Sequence, residues 1–334
     1  MASSRDVALR AGVSRSTVSQ IMNGHEHRFT ADTVARVREV AEGIGYRPSA
    51  AARTLARGTS DIVITLVPNI TFGPRLREFI DVFSGELERE GYTHLLRLAT
   101  SGEGFDDALL SLRPHAVVSL APIDEVDRRR LERHGVLVVE QPAAVQERLD
   151  IAIGQRQARH LAARGYRAVA AAVPVDLREQ RFSAPRAAGV HDWSLRNGVQ
   201  LLPTLQIDLA SGGAVKAVSS LPPDAVIGIA AYNDEVALAV LGAAQRLGRN
   251  VPAELGVIGA DNSLIAQLTT PTITTIDFDL EFSARYMVQL IITGQDALEP
   301  SAAIEVTSRL RLIAGDSTAR LPEGTVLPAP DDWQ

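Results

Sequence analysis

The chain has 334 residues, 46% hydrophobic and 22% charged, which supplies apolar side chains for more than one buried core and argues against wholesale disorder. It contains no cysteine, so disulfides, thiolate nucleophiles and cysteine-ligated zinc are excluded. The formal charge of −6 is unevenly spread: residues 1–58 carry nine arginines against five acids, leaving 25 basic and 35 acidic side chains for the rest. A basic head on an acidic body is the asymmetry expected when only one domain meets phosphate.

The opening MASSRDVALRAGVS lacks the apolar core of a signal peptide, and no later stretch approaches a membrane span. The expectation is a cytoplasmic protein with no membrane partner. Residues 1–48 read as three short helices. Ser3 and Asp6 form a capping-box start, Val7, Ala8 and Ala11 give an apolar face, and Gly12 stops the helix. Ser14 can cap a second helix from about Arg15 to Asn23, with Val18 and Ile21 inward and Gly24 at its end. Thr30 caps a third, in which Val34, Val37, Ala41 and Ile44 recur at helical spacing, and Gly45 and Pro48 end it. Two helices separated by a Gly-containing turn make a helix-turn-helix. The outward side chains of the second helix, Arg15, Ser16, Thr17, Ser19, Gln20 and Asn23, hydrogen-bond to bases and phosphates, and carboxylates are absent there.

The segment PSAAARTLARGTS has too little apolar surface to hold a helix alone. It reads as a linker, or as a hinge at 49–60 that folds only against DNA. From about Asp61 the texture changes to short apolar runs, IVITLV, THLLRL, HAVVSLA, GVLVVE, RAVAAAV, AVIGIAA and LGVIGA, alternating with helical patterns such as RLREFIDVFSGELEREG and DEVALAVLGAAQRLG. Continuous apolar strands alternating with helices predict parallel sheets buried on both faces. About ten strands are too many for one small doubly wound domain, so two similar lobes are expected, with a ligand at the strand C-termini. The fold class is an all-α helix-turn-helix head followed by a two-lobed α/β module. The Pro-punctuated segment 321–334 reads as a tail.

No dinucleotide fingerprint, P-loop or nucleophile elbow is present, so no enzyme and no cofactor are expected. His25-Glu26-His27 lies in a turn without further ligands at sensible spacing, and no metal is assigned. Asp106-Asp107 and Asp331-Asp332 read as solvated surface, and Trp193 as packing. A solute-binding protein and an α/β enzyme fused to a DNA-binding head are the competing classes; the first would need an export signal, and a gel shift separates both from a regulator.

DVALRAGVSRSTVSQIMNG, then FTADTVARVREVAEGIGYRPSAAARTL, resembles the reader and hinge of the lactose/galactose repressor family. RHLAARGYRAV, IAAYNDEVALAVL, ELGVIGADN and TPTITTI resemble that family's sensor, which is similar to periplasmic sugar-binding proteins. The resemblance spans nearly the whole chain in order. It implies a homodimer on a near-palindromic DNA operator, acting as a repressor whose affinity a small effector modulates. It also implies a sensor over residues 61–320, with one lobe over 61–148 plus 279–305 and the other over 149–278 plus 306–320. Carried over by position, Arg15, Ser16 and Gln20 fall where the family reads base edges. Ser14, Thr17, Ser19 and Asn23 fall where it holds phosphates or caps helices. Leu55 falls where paired leucines enter the minor groove, so residues 50–57 are expected to become helical only on DNA. Arg186, Asn233 and Asp261 fall where the sensor holds effector polar groups. With Phe72 or Phe278 stacking on an apolar ring face, they suit a neutral sugar or nucleoside, whereas Arg75 in the cleft would favour a phosphorylated or acidic ligand.

The chain departs from the family at several points. Ser49 replaces a common Asn, Thr71-Phe72-Gly73-Pro74-Arg75 replaces an Asn-Pro-aromatic turn, and Phe278 stands where some members have Gln. The acid usually found before the helix ending in His160-Leu161 has no clean counterpart in DIAIGQRQ. Gln20 stands where many members carry Arg. A glutamine amide suits the adenine N6/N7 edge, whereas an arginine fork suits guanine O6/N7. Gln20→Arg is therefore expected to move preference toward guanine at one symmetric pair of operator positions, read by selected-site sequencing; unchanged preference would remove Gln20 from the base-reading set.

Overall fold

The computed structural model describes residues 2–22, 24, 26–46, 54, 58–67, 73–98, 107–120, 123–140, 143–294 and 307–318. The head consists of α1 (Ser4–Ala11), α2 (Arg15–Met22) and α3 (Ala31–Gly43). The Ser3 hydroxyl accepts from the Asp6 amide, and the Asp6 carboxylate accepts from the Ser3 amide at 2.9 Å, so two otherwise orphaned donors are satisfied reciprocally. Gly12, at φ +65°, turns the chain sharply enough for Ser14 to cap α2 by accepting from the Thr17 amide at 3.0 Å. Val7, Val18, Ile21 and Val37 close the small core between the three helices. Glu26–Arg28 form a single 3₁₀ turn in which Glu26 pairs with Arg38 of α3. That gives Glu26 a structural partner; His25 lies outside the described residues.

The first lobe is a parallel sheet of β1 (Ile62–Val67), β2 (Thr93–Leu98), β3 (Ala116–Ser119) and β4 (Leu137–Glu140), in the order β2-β1-β3-β4. Successive residues of β1 serve opposite faces. Val63 packs with Phe79, Phe83, Leu280 and Met287 under α4 (Pro74–Arg89) and α12 (Leu280–Thr293). Ile64 packs with Leu110 of α5 (Asp107–Ser111) and Leu131 of α6 (Glu125–Arg133) on the other face. One expectation fails here: THLLRL is not buried on both faces. As β2 it lies at the sheet edge, with Leu96 46% and Leu98 59% exposed, because an edge strand has a neighbour on one side only.

The second lobe is a sheet in the order β11-β10-β9-β8-β5-β6. Its strands are β5 (Ala168–Pro174), β6 (Gln200–Leu201), β8 (Ile227–Ala231), β9 (Leu255–Ala260), β10 (Thr274–Asp277) and an antiparallel β11 (Arg311–Ile313), and β7 (Leu205–Ile207) also pairs with β5. α7 (Ala143–Ala163) and α8 (Gln180–Arg196) cover one face; α9 (Ala214–Ser219), α10 (Asp234–Arg246) and the short α11 (Leu264–Leu268) pack on the other. Trp193 is half-buried against the α7–α8 core. α7 begins at Ala143, ahead of the boundary expected at 149, and it packs along α8 of this lobe.

α7 and α8 cross at two glycines. A Cβ on Gly154 would lie 1.9 Å from the carbonyl oxygen of Arg186, and one on Gly189 would lie 2.1 Å from that of Ile151. The two backbones are therefore in contact, and neither clash can be relieved by rotating a side chain. Gly154→Ala is expected to destabilise the chain by about 3 kcal/mol through overpacking. Gly242→Ala in α10, where an added Cβ meets nothing within 4 Å, should instead stabilise it by about 1 kcal/mol. Urea denaturation of both variants checks the contrast, and a Gly154→Ala protein as stable as the parent would refute the crossing.

Candidate functional site

The described residues of α2 present the face that the sequence indicates. Val18 and Ile21 are buried, while Ser14, Arg15, Ser16 and Ser19 are exposed and Thr17 and Gln20 half-exposed. The Gln20 amide donates to the Ser16 hydroxyl at 3.2 Å, so these two side chains stand together on the outer surface. Asn23, Ser49 and Leu55 lie outside the described residues, as does most of the 50–57 segment.

Both sheets reverse their strand order at a definite point, between β1 and β3 in the first lobe and between β5 and β8 in the second. Open α/β sheets leave a crevice at the C-terminal ends of such strands. The turns after those strands meet at a cavity of about 230 Å³ between the lobes. Leu120 follows β3, Tyr232 and Asn233 follow β8, and Asp261 follows β9. Gly73 and Arg75 enter from the start of α4, Arg186 from α8, and Phe278 from the crossing between β10 and α12. Arg75, Arg186, Asn233, Asp261 and Phe278 are thus brought to one cavity; Phe72 lies outside the described residues.

Arg186 organises the second-lobe wall. It lies in the second turn of α8, which begins at Gln180 and continues through Pro185. Its guanidinium donates to Asp150 Oδ1 at 2.6 Å and to the Tyr232 carbonyl, and it lies 3.9 Å from Asp261. Asp150 is fully buried inside α7 and also accepts from Gln146 at 2.8 Å. DIAIGQRQ therefore contributes an acid to this wall through Asp150, from within α7. Burial pushes the Asp150 carboxyl up, against Arg186, which favours its charge. Burial would lower the Arg186 guanidinium, but Asp150 and Asp261 outweigh it and hold the charge in place. Asp261 sits at φ +99° and Asn262 at φ +49°, conformations that L-residues rarely adopt and that concentrate at functional sites. Asn233 has two roles: it lines the cavity and accepts from the Val236 amide at 2.9 Å, capping α10.

Arg75 does not offer a free cation. It donates to Glu78 at 3.0 Å, to Asp277 at 3.2 Å and to the Phe278 carbonyl, and it stacks 4.2 Å above the Phe278 ring. Its charge is met by Glu78 and by Asp277, which also pairs with Arg311, and this reduces its pull on a phosphorylated ligand. The same contact occupies one face of Phe278.

Sequence reasoning missed Asp150, Glu179, Tyr232, Asp234 and Glu235. The Tyr232 hydroxyl donates to Glu179 at 2.7 Å. Asp234, 1% exposed, accepts from the Ser263 amide and hydroxyl at 2.7 and 3.0 Å and from the Thr275 hydroxyl at 2.7 Å, tying the α10 N-terminus to the turns after β9 and into β10. The NDE triplet was the available signal, since an acid directly after a helix cap at a strand end must either face the cavity or be buried with partners.

A family model described as bacterial regulatory proteins, lacI family, matches residues 5–49, and one described as a periplasmic binding protein-like domain matches residues 158–318. The HTH-type transcriptional repressor PurR of Vibrio vulnificus (strain CMCP6) is 28% identical over 298 residues, covering 83% of this chain and 86% of that protein. Among solved structures, the lac repressor dimer bound to operator and the anti-inducer ONPF superimposes with a TM-score of 0.70 at 20% identity, covering 96% of this chain and 99% of that one. The transcriptional regulator CelR–cellobiose complex gives 0.60 at 22% identity, covering 95% and 100%. These structures share the fold of this chain.

Burial, and then the neighbouring Asp261, push the Asp234 carboxyl up to about 7. Between about pH 4 and pH 7 the folded chain holds a proton there that the unfolded chain has released. Stability from this group is therefore greatest below about pH 4 and falls as pH rises toward 7, by at most about 1.4 kcal/mol per pH unit. Asp234→Asn should flatten that slope, visible as wild-type and variant urea midpoints diverging across pH 4–7. Parallel profiles would show that the carboxyl ionises normally.

Proposed function

Since the chain belongs to the lacI family of bacterial regulatory proteins, we propose that it is a cytoplasmic repressor that binds a near-palindromic operator as a homodimer and releases or tightens it when a small polyhydroxylated molecule enters the cleft. Family membership makes it a DNA-binding transcriptional regulator and not an enzyme. Among the described residues no helix is long and apolar enough to cross a membrane. Arg15, Ser16 and Gln20 read base edges; Ser14, Thr17, Ser19 and Asn23 hold phosphates or cap helices; Leu55 enters the minor groove. A two-fold dimer presents two such heads to successive major-groove half-sites, which is why the operator repeats with inverted symmetry.

The observation that carries the sensor reading is the meeting of Asn233 and Asp261, at strand C-termini, with Arg186 of α8 around one interlobe cavity. Asp261 accepts from neighbouring hydroxyls, the Asn233 amide donates, and Arg186, fixed by Asp150, donates in a rigid fork. With Arg75 paired to Asp277 and Glu78, the wall suits a hydroxylated ligand without phosphate. The CelR complex, a relative in fold, holds the sugar cellobiose.

Calorimetric titration against sugars, nucleosides and sugar phosphates tests this. Asp261→Asn is the informative variant, because asparagine tolerates the left-handed backbone where alanine would add strain. Affinity for hydroxylated ligands should fall about tenfold or more with the loss of a charged acceptor. Binding confined to phosphorylated compounds, or indifferent to Asp261→Asn, would overturn the reading.

A further inference from the structure

Resting on the reading of this cleft as the effector site, we propose that the effector carries a protonated amino group on its hydroxylated frame, as an amino sugar or amino nucleoside does. The cavity wall holds four acidic side chains, Glu179, Asp234, Glu235 and Asp261, of which Asp234 keeps its proton up to about pH 7, against two guanidiniums, Arg75 and Arg186. Both guanidiniums are already engaged from behind the wall, Arg75 by Glu78 and Asp277 and Arg186 by Asp150. The remaining approach of Arg186 to Asp261, at 3.9 Å, is beyond hydrogen-bond reach. Asp234 is occupied by Ser263 and Thr275, and Glu179 accepts from Tyr232. Asp261 and Glu235 are the acids that an occupant meets. Burial, and then the repulsion of Asp261 and Glu179, make ionisation of Glu235 harder. Closing the lobes over a neutral polyol would remove this negative charge from water with only the two guanidiniums, already shared with other acids, to offset it. An ammonium group supplies the missing charge and three donors in one small group.

An independent feature points the same way. Phe79, Phe182, Tyr232, Phe278, Phe282 and Tyr286 line the cavity, six of the fifteen aromatic residues in the chain. Ring faces beside carboxylates are the surroundings in which a cation is held outside bulk water. The protein already uses them so: Arg75 lies over Phe278 at 4.2 Å, Arg186 over Tyr232 at 4.7 Å and Arg309 over Phe282 at 3.8 Å.

The test uses matched sets that differ only at the amine: glucose, glucosamine and N-acetylglucosamine; the galactose equivalents; and adenosine with 3′-amino-3′-deoxyadenosine. Full-length protein is titrated calorimetrically at neutral pH. In at least one set the free amine should bind about tenfold tighter than its neutral and acetylated partners. Glu235→Gln should shrink that ratio while the melting temperature of the unliganded protein stays put. A neutral or acetylated member binding as tightly as the amine overturns this inference and leaves the polyol reading standing. Silence from every member of every set overturns the polyol reading, and this inference with it.

Discussion

The contact of α7 with α8 at Gly154 and Gly189 is the constraint on which the sensor depends. Only two glycines let the backbones touch, and that touch sets Asp150 of one helix against Arg186 of the other. A buried ion pair is a poor source of net stability, because desolvation consumes most of the Coulomb gain. Its value here is positional. Arg186 cannot swing away from Asp150 without leaving a buried carboxylate uncompensated, at a cost of about 3–5 kcal/mol, so the donors that face the cavity are fixed in advance. A site built on two packed helices holds its geometry better than one built on loops.

From that wall the rest follows by strand ends. Asn233 caps α10 and lines the cavity with the same side chain, and Asp234 beside it ties the start of α10 to the turn after β9 and to β10. Structure and recognition are therefore not separable at Asn233 and Asp234. A substitution at either alters helix capping or turn geometry together with the cavity surface, whereas Glu235 beside them has no such tie among these bonds.

Much of this was legible in the sequence. The head was, because Ser3, Gly12, Ser14 and Thr30 act through local capping and turn rules that need no tertiary information. The strand–helix alternation was, because buried parallel strands leave continuous apolar runs. The cavity residues at strand ends were legible through the resemblance and through Asn233 and Asp261 following apolar runs. Three things were not. The exposure of Leu96 and Leu98 depends on where β2 lands in the sheet, which apolar content does not encode. Asp150 was overlooked because it sits inside a helix where a segment boundary was expected. The pairing of Arg75 depends on Asp277, 202 positions away in sequence.

That long-range bond has a consequence for how the two halves of the sensor communicate. Arg75 belongs to α4 of the first lobe, and Asp277 ends β10 of the second, so side chains of the protein alone already fasten one lobe to the other. A guest in the cleft does not act on two independent bodies; it acts on a balance that carries a preset load. Its influence on the head is therefore set by how differently it binds the fastened and unfastened arrangements, and not by how tightly it binds. Two molecules of equal affinity, one accommodating the Arg75–Asp277 tie and one breaking it, would send opposite messages from the same site.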